Sequence, residues 1–267
     1  MGIWSRKAFE GIGRIRRHFR KCLLVHYSCQ SLYDDRDGLS PRVANIVVRD
    51  LDSEQTFSFA IHLVAERLHI PKADIDRRYD EIESVLLEDF YNFVRSHPGF
   101  IWLHWNMINL QFGFETLAHR YGVLTGKNAP SIDMDDRINI AGLLIGKFGE
   151  NYVDAPHMQN LMKVNGGPKR DFVPGKEEVE LFKNGEFALL HASTISKVEF
   201  FSEVVHLLLD GKLKTERASL MIRAERTADN GWAKLVGLAA AVYTLVDLAG
   251  KAGAWRGIAE VAHRIIH

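Results

Sequence analysis

The sequence predicts an α/β domain in which a mixed sheet is flanked by helices, with a helical C-terminal extension. Three observations lead there. Three short strand-like runs fall within the first 63 residues and are joined by hairpin-like links. Beyond them strand and helix patterns alternate, which suits parallel addition of strands to one edge of the sheet. The composition, 46% apolar and 25% charged over 267 residues, is that of an ordinary globular protein with room for one large domain, or a domain plus an appendage.

Residues 1–20 carry Ile3, Phe9, Ile12, Ile15 and Phe19 at roughly helical spacing, which predicts a short basic amphipathic helix. CLLVHYSC (22–29) reads as a strand. RVANIVVRD (42–50) and QTFSFAIHL (55–63) read as two more, joined by a turn at Asp50, Asp52 and Ser53. In the latter, Phe57, Phe59 and Ile61 alternate with small or polar residues, as in a half-buried strand. A long helix follows through Ile75, Tyr79, Ile82, Leu86, Phe90 and Phe93 and stops at His97-Pro98-Gly99. FIWLHWN (100–106) is a buried strand. It feeds a helix over 112–124 that ends at Gly126. RINIAGLLIGKFG (137–149) is an extended piece running into a helix. HMQNLMKVNG (157–166) is a short helix closed by Gly166-Gly167. Residues 176–211 are mostly helix with a break at Asn184-Gly185. The expected organisation is a basic segment (1–20), a main domain (21–211) and a helical extension (212–267).

Net charge is zero, so there is no global pull toward nucleic acid, but the ends are basic. Residues 1–21 hold seven Lys/Arg against Glu10, and residues 212–267 hold nine against five acids. The only cysteines, Cys22 and Cys29, point to opposite faces of one strand and imply no disulfide framework, as expected in a reducing cytoplasm. The first twenty residues lack the apolar core of a secretory signal, and Arg6 stands where a myristoylation pattern needs Ser or Thr. The apolar run 235–250 is too short for a membrane span and contains Asp247. A cytoplasmic protein with no membrane contact is expected. Residues 232–267 include a helix apolar nearly all round, which must be buried by the main domain, by a protein partner or by a second copy.

Three stretches carry a resemblance: LLVHYSCQSL on the first strand, WLHWNMINLQFGFETLAHRYGV (102–123), and FALLHASTISKVEFF (187–201). Together with the element order, they resemble the proofreading-type 3′–5′ exonuclease family (the DEDDh group), whose fold is ribonuclease H-like. That family carries Asp-x-Glu on strand one, an Asp just beyond a His-Asn pair after strand four, and His-x4-Asp in the last helix. Ser28 and Gln30 stand at the first pair, His104 and Asn106 resemble the His-Asn pair, and Asn109 falls near its aspartate. His191 is retained, and Ser196 falls at the final aspartate. The resemblance spans about residues 21–210.

The resemblance therefore implies a nuclease fold whose four carboxylates are replaced by neutral polar residues, which keep hydrogen-bonding capacity without charge. The family's reaction uses two divalent ions about 3.5–4 Å apart. Such ions repel by roughly 17 kcal/mol at an effective dielectric of about 20, which carboxylates must offset. Ser, Gln, Asn and Ser do not. The expectation is a catalytically degenerate module that binds single-stranded nucleic acid or a protein partner, with no cofactor and no metal. Mg²⁺ or Mn²⁺ enters only if the chain is instead an active exonuclease using displaced ligands, such as Asp34, Asp35 and Asp37 or Asp133, Asp135 and Asp136. A third reading is a purely structural interaction protein. His104, Trp105, Asn106 and Lys197 are the candidate nucleic-acid contacts: Trp105 as a base-stacking platform, Lys197 as a phosphate contact where metals otherwise sit. Trp102 is assigned to the core. Cys29 with His26 or His104 is a lesser, nucleophilic option, and no His/Cys zinc pattern is present.

Overall fold

A computed structural model describes residues 3–30, 41–108 and 112–216, with side chains from residue 6 onward. The chain divides between Glu216 and Arg217, and the description concerns the first unit. The extension beyond 216, with the interface expected over 232–267, Asn109, and Asp34, Asp35 and Asp37 lie outside the described residues.

Five strands form one mixed sheet. β1 (Cys22–Cys29), β2 (Val43–Asp50) and β3 (Thr56–Ala60) are antiparallel neighbours. β4 (Ile101–His104) and β5 (Arg137–Asn139) add in parallel on the other side of β1, giving the order β3-β2-β1-β4-β5. β1 is central, and its first seven residues are buried, because helices cover both faces of the sheet. Its two faces differ. Leu23, Val25 and Tyr27 join one core with α2 (Ile61–Arg67), α3 (Tyr79–Ser96) and α4 (Phe114–Thr125). Cys22 and Leu24 join a second core with α1 (Ile3–Arg17), α5 (Ile140–Phe148), α6 (His157–Val164) and α8 (Phe187–Leu209). α7 (Gly175–Lys183) lies against α8.

The strand expected over 55–63 ends at Ala60. Ile61 continues the alternation of Phe57 and Phe59, yet with Val64 and Ala65 it also forms the buried stripe of α2. One residue satisfies both periods, so alternation alone overruns the boundary. α4 closes on Gly126, which takes the left-handed conformation (φ 69°) and donates its N–H to the Gly122 carbonyl.

α1 packs into the second core through Ala8, Ile12 and Ile15, whereas Phe9 is exposed. It crosses α5 closely: a Cβ on Gly11 would lie 2.7 Å from Leu143 Cδ2. Part of its basic charge serves the fold. Arg14 binds Asp136 at 2.6 Å, and Arg16 donates to the Leu209 carbonyl at the end of α8 at 2.6 Å.

A buried ion pair braces the α3 face. Arg120 on α4 grips Glu83 on α3 in a two-pronged contact of 3.0 and 2.6 Å, and the Val43 N–H donates to the same carboxylate at 2.7 Å. Glu83 is fully buried.

Candidate functional site

β1 and β4 run parallel and side by side, yet the chain leaves β1 toward β2 and leaves β4 toward β5. The carboxyl ends of strands at such a divergence are where open α/β sheets place ligands. The residues there are Ser28 and Gln30 from β1 and His104 to Asn106 from β4.

Ser28 faces α8. Its hydroxyl lies 2.7 Å from Thr194 Oγ1, and Thr194 itself donates to the Leu190 carbonyl at 3.0 Å. A hydroxyl has one hydrogen, so Ser28 supplies the one between them. Ser196 does not meet Ser28. At 100° per residue it sits about 200° around α8 from Thr194, on the far side of the helix. The α8 partner of Ser28 is therefore Thr194, which sequence spacing did not identify. Gln30 lies past the register break at Ser28/Cys29. Its N–H donates to the Arg42 carbonyl at 2.8 Å, and it lines a groove beside the site.

Lys197, one turn beyond Thr194, is buried. Its Nζ lies 2.5 Å from Glu178 Oε2 on α7, with only 5% and 15% of the two side chains exposed. The other oxygen of Glu178 accepts a 2.8 Å bond from the Ser193 hydroxyl, which also receives the Val173 N–H at 3.1 Å. Beneath α8, His26 is held edge-on between Phe112 and Phe201. Burial, then the Lys197 ammonium, then His104 push its pKa well below 6.5, so the ring is neutral. Its Nδ1 has no hydrogen-bond partner among the described residues. Neither has either amide atom of Asn45, the fully buried residue opposite Ser28 on β2. Nothing in the one-dimensional pattern of RVANIVVRD singles out Asn45.

His104 is buried on the α4 side against Phe114. Its Nδ1 accepts the Met107 N–H at 3.1 Å, which leaves its proton on Nε2, and burial lowers its pKa to about 4. Trp105, expected as a stacking platform for bases, is only 6% exposed and stacks on Phe201 with ring centroids 5.3 Å apart. The apolar demand of the second core has claimed it. Trp102 is core, as its alternation predicts. Asn106 is exposed, adopts φ 52°, and exchanges hydrogen bonds of 3.0 and 3.1 Å with Asn139 at the end of β5.

His191 is buried with its ring 5.2 Å from that of His62 on α2. Burial, then His62, lowers its pKa to about 4. Cys29 packs in the α3-side core, on the opposite face from His26, and burial pushes its thiol up to about 12. At neutral pH it holds no thiolate, which removes the nucleophilic option. Asp135 and Asp136 lie in a turn whose Asp136 is bound to Arg14. Among the described residues, no group of three or more His, Cys, Asp or Glu is disposed to hold a metal, and no helix is long and apolar enough to cross a membrane.

The groove beside Gln30 has a volume of about 660 Å³. Ile75 and Phe182 give it apolar walls, and Arg42, Lys72 and Lys183 bring three cations to it. A hollow of about 320 Å³ continues it past Lys72 and Phe187 to His62. The cations are paired with exposed partners: Arg42 with Asp76 (3.2 Å), Lys72 with Glu186 (3.3 Å) and Lys183 with Glu180 (3.4 Å). Exposed pairs of this kind hold their partners weakly. No protein family, curated protein or solved structure matches the chain.

Proposed function

We propose that this chain is a catalytically degenerate, ribonuclease H-like module of the 3′–5′ exonuclease type that binds single-stranded nucleic-acid ends. The arrangement of three antiparallel strands with parallel strands added at one side is the one on which the resemblance rests. The observation that carries the reading lies under α8. Of the positions where the resemblance places metal-binding carboxylates, Ser28 pairs with the Thr194 hydroxyl, one turn from the buried Lys197 ammonium, while Ser196 is turned away. Glu178 already neutralises Lys197, and among the described residues no group of three or more His, Cys, Asp or Glu is disposed to offset the mutual repulsion of two divalent ions. The adjoining groove supplies what single strands need instead: aromatic and aliphatic walls for bases and a row of cations for phosphates.

The test is fluorescence anisotropy with short labelled DNA and RNA strands across a salt series. Affinity should fall steeply with salt. The paired substitutions Lys72→Glu and Lys183→Glu should weaken it at least tenfold. Absence of binding at low salt favours a protein-interaction role and sinks this reading. So does release of nucleotides with Mg²⁺ or Mn²⁺ that His191→Ala abolishes.

A further inference from the structure

We propose that Glu178 is an internal stand-in for a ligand phosphate, occupying an anion seat formed by Lys197 Nζ and Ser193 Oγ that α7 yields when a phosphate arrives through the adjoining groove. The inference rests on the nucleic-acid reading for the source of that phosphate, and on the geometry of α7 and α8 for the seat.

The donor set comes first. One carboxylate takes a 2.5 Å contact from an ammonium and a 2.8 Å bond from a hydroxyl, on residues four apart along one face of α8. These are the donors a phosphate oxygen would take, and charge-assisted bonds of this kind are the strong ones. Unused hydrogen-bonding capacity lies on the side of the sheet that α8 covers. The amide of Asn45 and Nδ1 of His26 are both more than nine-tenths buried and unpartnered among the described residues. Thr194, next to Ser193 in sequence and one turn before Lys197 on α8, bonds to Ser28, whose cross-strand neighbour is Asn45. Buried polar atoms without partners are rare enough that each asks for a reason, and a polar ligand entering this layer supplies one.

The element that holds the stand-in is anchored to the α3-side core by Leu181 and Phe182, both only partly buried. All nine residues of α7 are described and none is fully buried. Gly166 and Gly167 before it and Gly185 after it adopt positive φ, where glycine turns without strain. Segments with few buried apolar contacts open at low free energy. Val179 and Phe182, the neighbour of Glu178 and the residue one turn on, form a wall of the groove. A strand lying in that groove therefore touches the helix that carries the latch. Phosphate and carboxylate then compete for one cation, and the wild-type affinity is what remains after Glu178 is displaced.

The experiment measures binding of three probes: a short single strand with a terminal phosphate, the same strand without it, and inorganic phosphate. Glu178→Gln keeps the side-chain shape and removes the competing charge. It should bind the phosphorylated strand at least tenfold more tightly than wild type, and the added Lys197→Gln should erase the gain. Ser193→Ala removes one donor of the seat while leaving the ammonium paired, so it should weaken binding of the phosphorylated strand relative to the strand without phosphate, and it carries the test if Glu178→Gln fails to fold. Amide exchange over 173–186 should quicken on binding. If strands bind wild type and both variants equally, the seat is wrong and the nucleic-acid reading stands. If no strand binds but inorganic phosphate binds Glu178→Gln more tightly, the seat stands and the nucleic-acid reading falls. If no probe binds any form, both fall.

Discussion

Lys197 Nζ and Glu178 Oε2 lie 2.5 Å apart in a layer that solvent barely reaches, joining α8 to α7. Burying two charges is unfavourable unless each compensates the other, so the pair is worth little as a whole and much to each member alone. Lys197→Met should destabilise by about 3 kcal/mol because it leaves Glu178 uncompensated, whereas Lys197→Met with Glu178→Leu should recover most of that loss. Urea unfolding of the single and double variants checks this. A double variant whose loss is the sum of the losses of Lys197→Met and Glu178→Leu alone would show that the pair is not coupled.

The Ser28–Thr194 contact is directional, and that direction predicts an asymmetry. Ser28→Ala removes a donor, while Thr194 still donates to the Leu190 carbonyl. Its cost should be about 1 kcal/mol. Thr194→Val keeps the shape of the side chain but strands the buried Ser28 hydroxyl, and should cost about 1–3 kcal/mol. Denaturation midpoints of the two variants decide it. The reverse order would mean that the hydrogen runs the other way.

Acid should unfold the protein through its buried imidazoles. His104 and His191 have folded pKa values of about 4 against 6.5 when free. The unfolded chain therefore binds their protons first as pH falls. Their contribution is fully present above 6.5 and is lost as pH drops from 6.5 toward 4. Each accounts for up to ~3 kcal/mol over that window. His26 and His62 shift in the same direction. Urea midpoints between pH 7 and 5 should fall, and His191→Gln should flatten the slope. A midpoint independent of pH over that range contradicts the assignment.

Arg120 should tolerate no replacement, including lysine. Its planar fork meets both oxygens of Glu83 and also reaches Asp80 at 2.8 Å. Arg120→Met should cost about 3–5 kcal/mol by leaving Glu83 charged and buried, and Arg120→Lys should recover only part of it. Thermal unfolding of both variants is the readout, and a lysine variant as stable as wild type would refute the two-pronged role.

Much of the architecture was legible in one dimension because it rests on periodicity. β1 spans the CLLVHYSC run end to end, α4 ends on the glycine that marks it, and the Asn184-Gly185 break separates α7 from α8. These features are local: alternation, a 3.6-residue stripe, or a residue that alone adopts positive φ. The boundary at Ala60 failed because Ile61 fits two periods at once. The site was only half legible. Ser28, Gln30, Asn106 and Lys197 lie near the carboxyl ends of β1 and β4 or beside them on α8, but Trp105, expected as a base-stacking platform, lies in the core.

The sequence by itself determined the order of strands and helices, the mixed character of the sheet, and the absence of acidic residues from Ser28-Cys29-Gln30. Only the tertiary structure decided which α8 residue meets Ser28, because the rotation of a helix about its axis is set by packing against the sheet, not by spacing along the chain. Rotation brings Thr194 to Ser28 and turns Ser196 away. It also carries Lys197 to Glu178, a partner nineteen positions earlier that no local pattern connects to it.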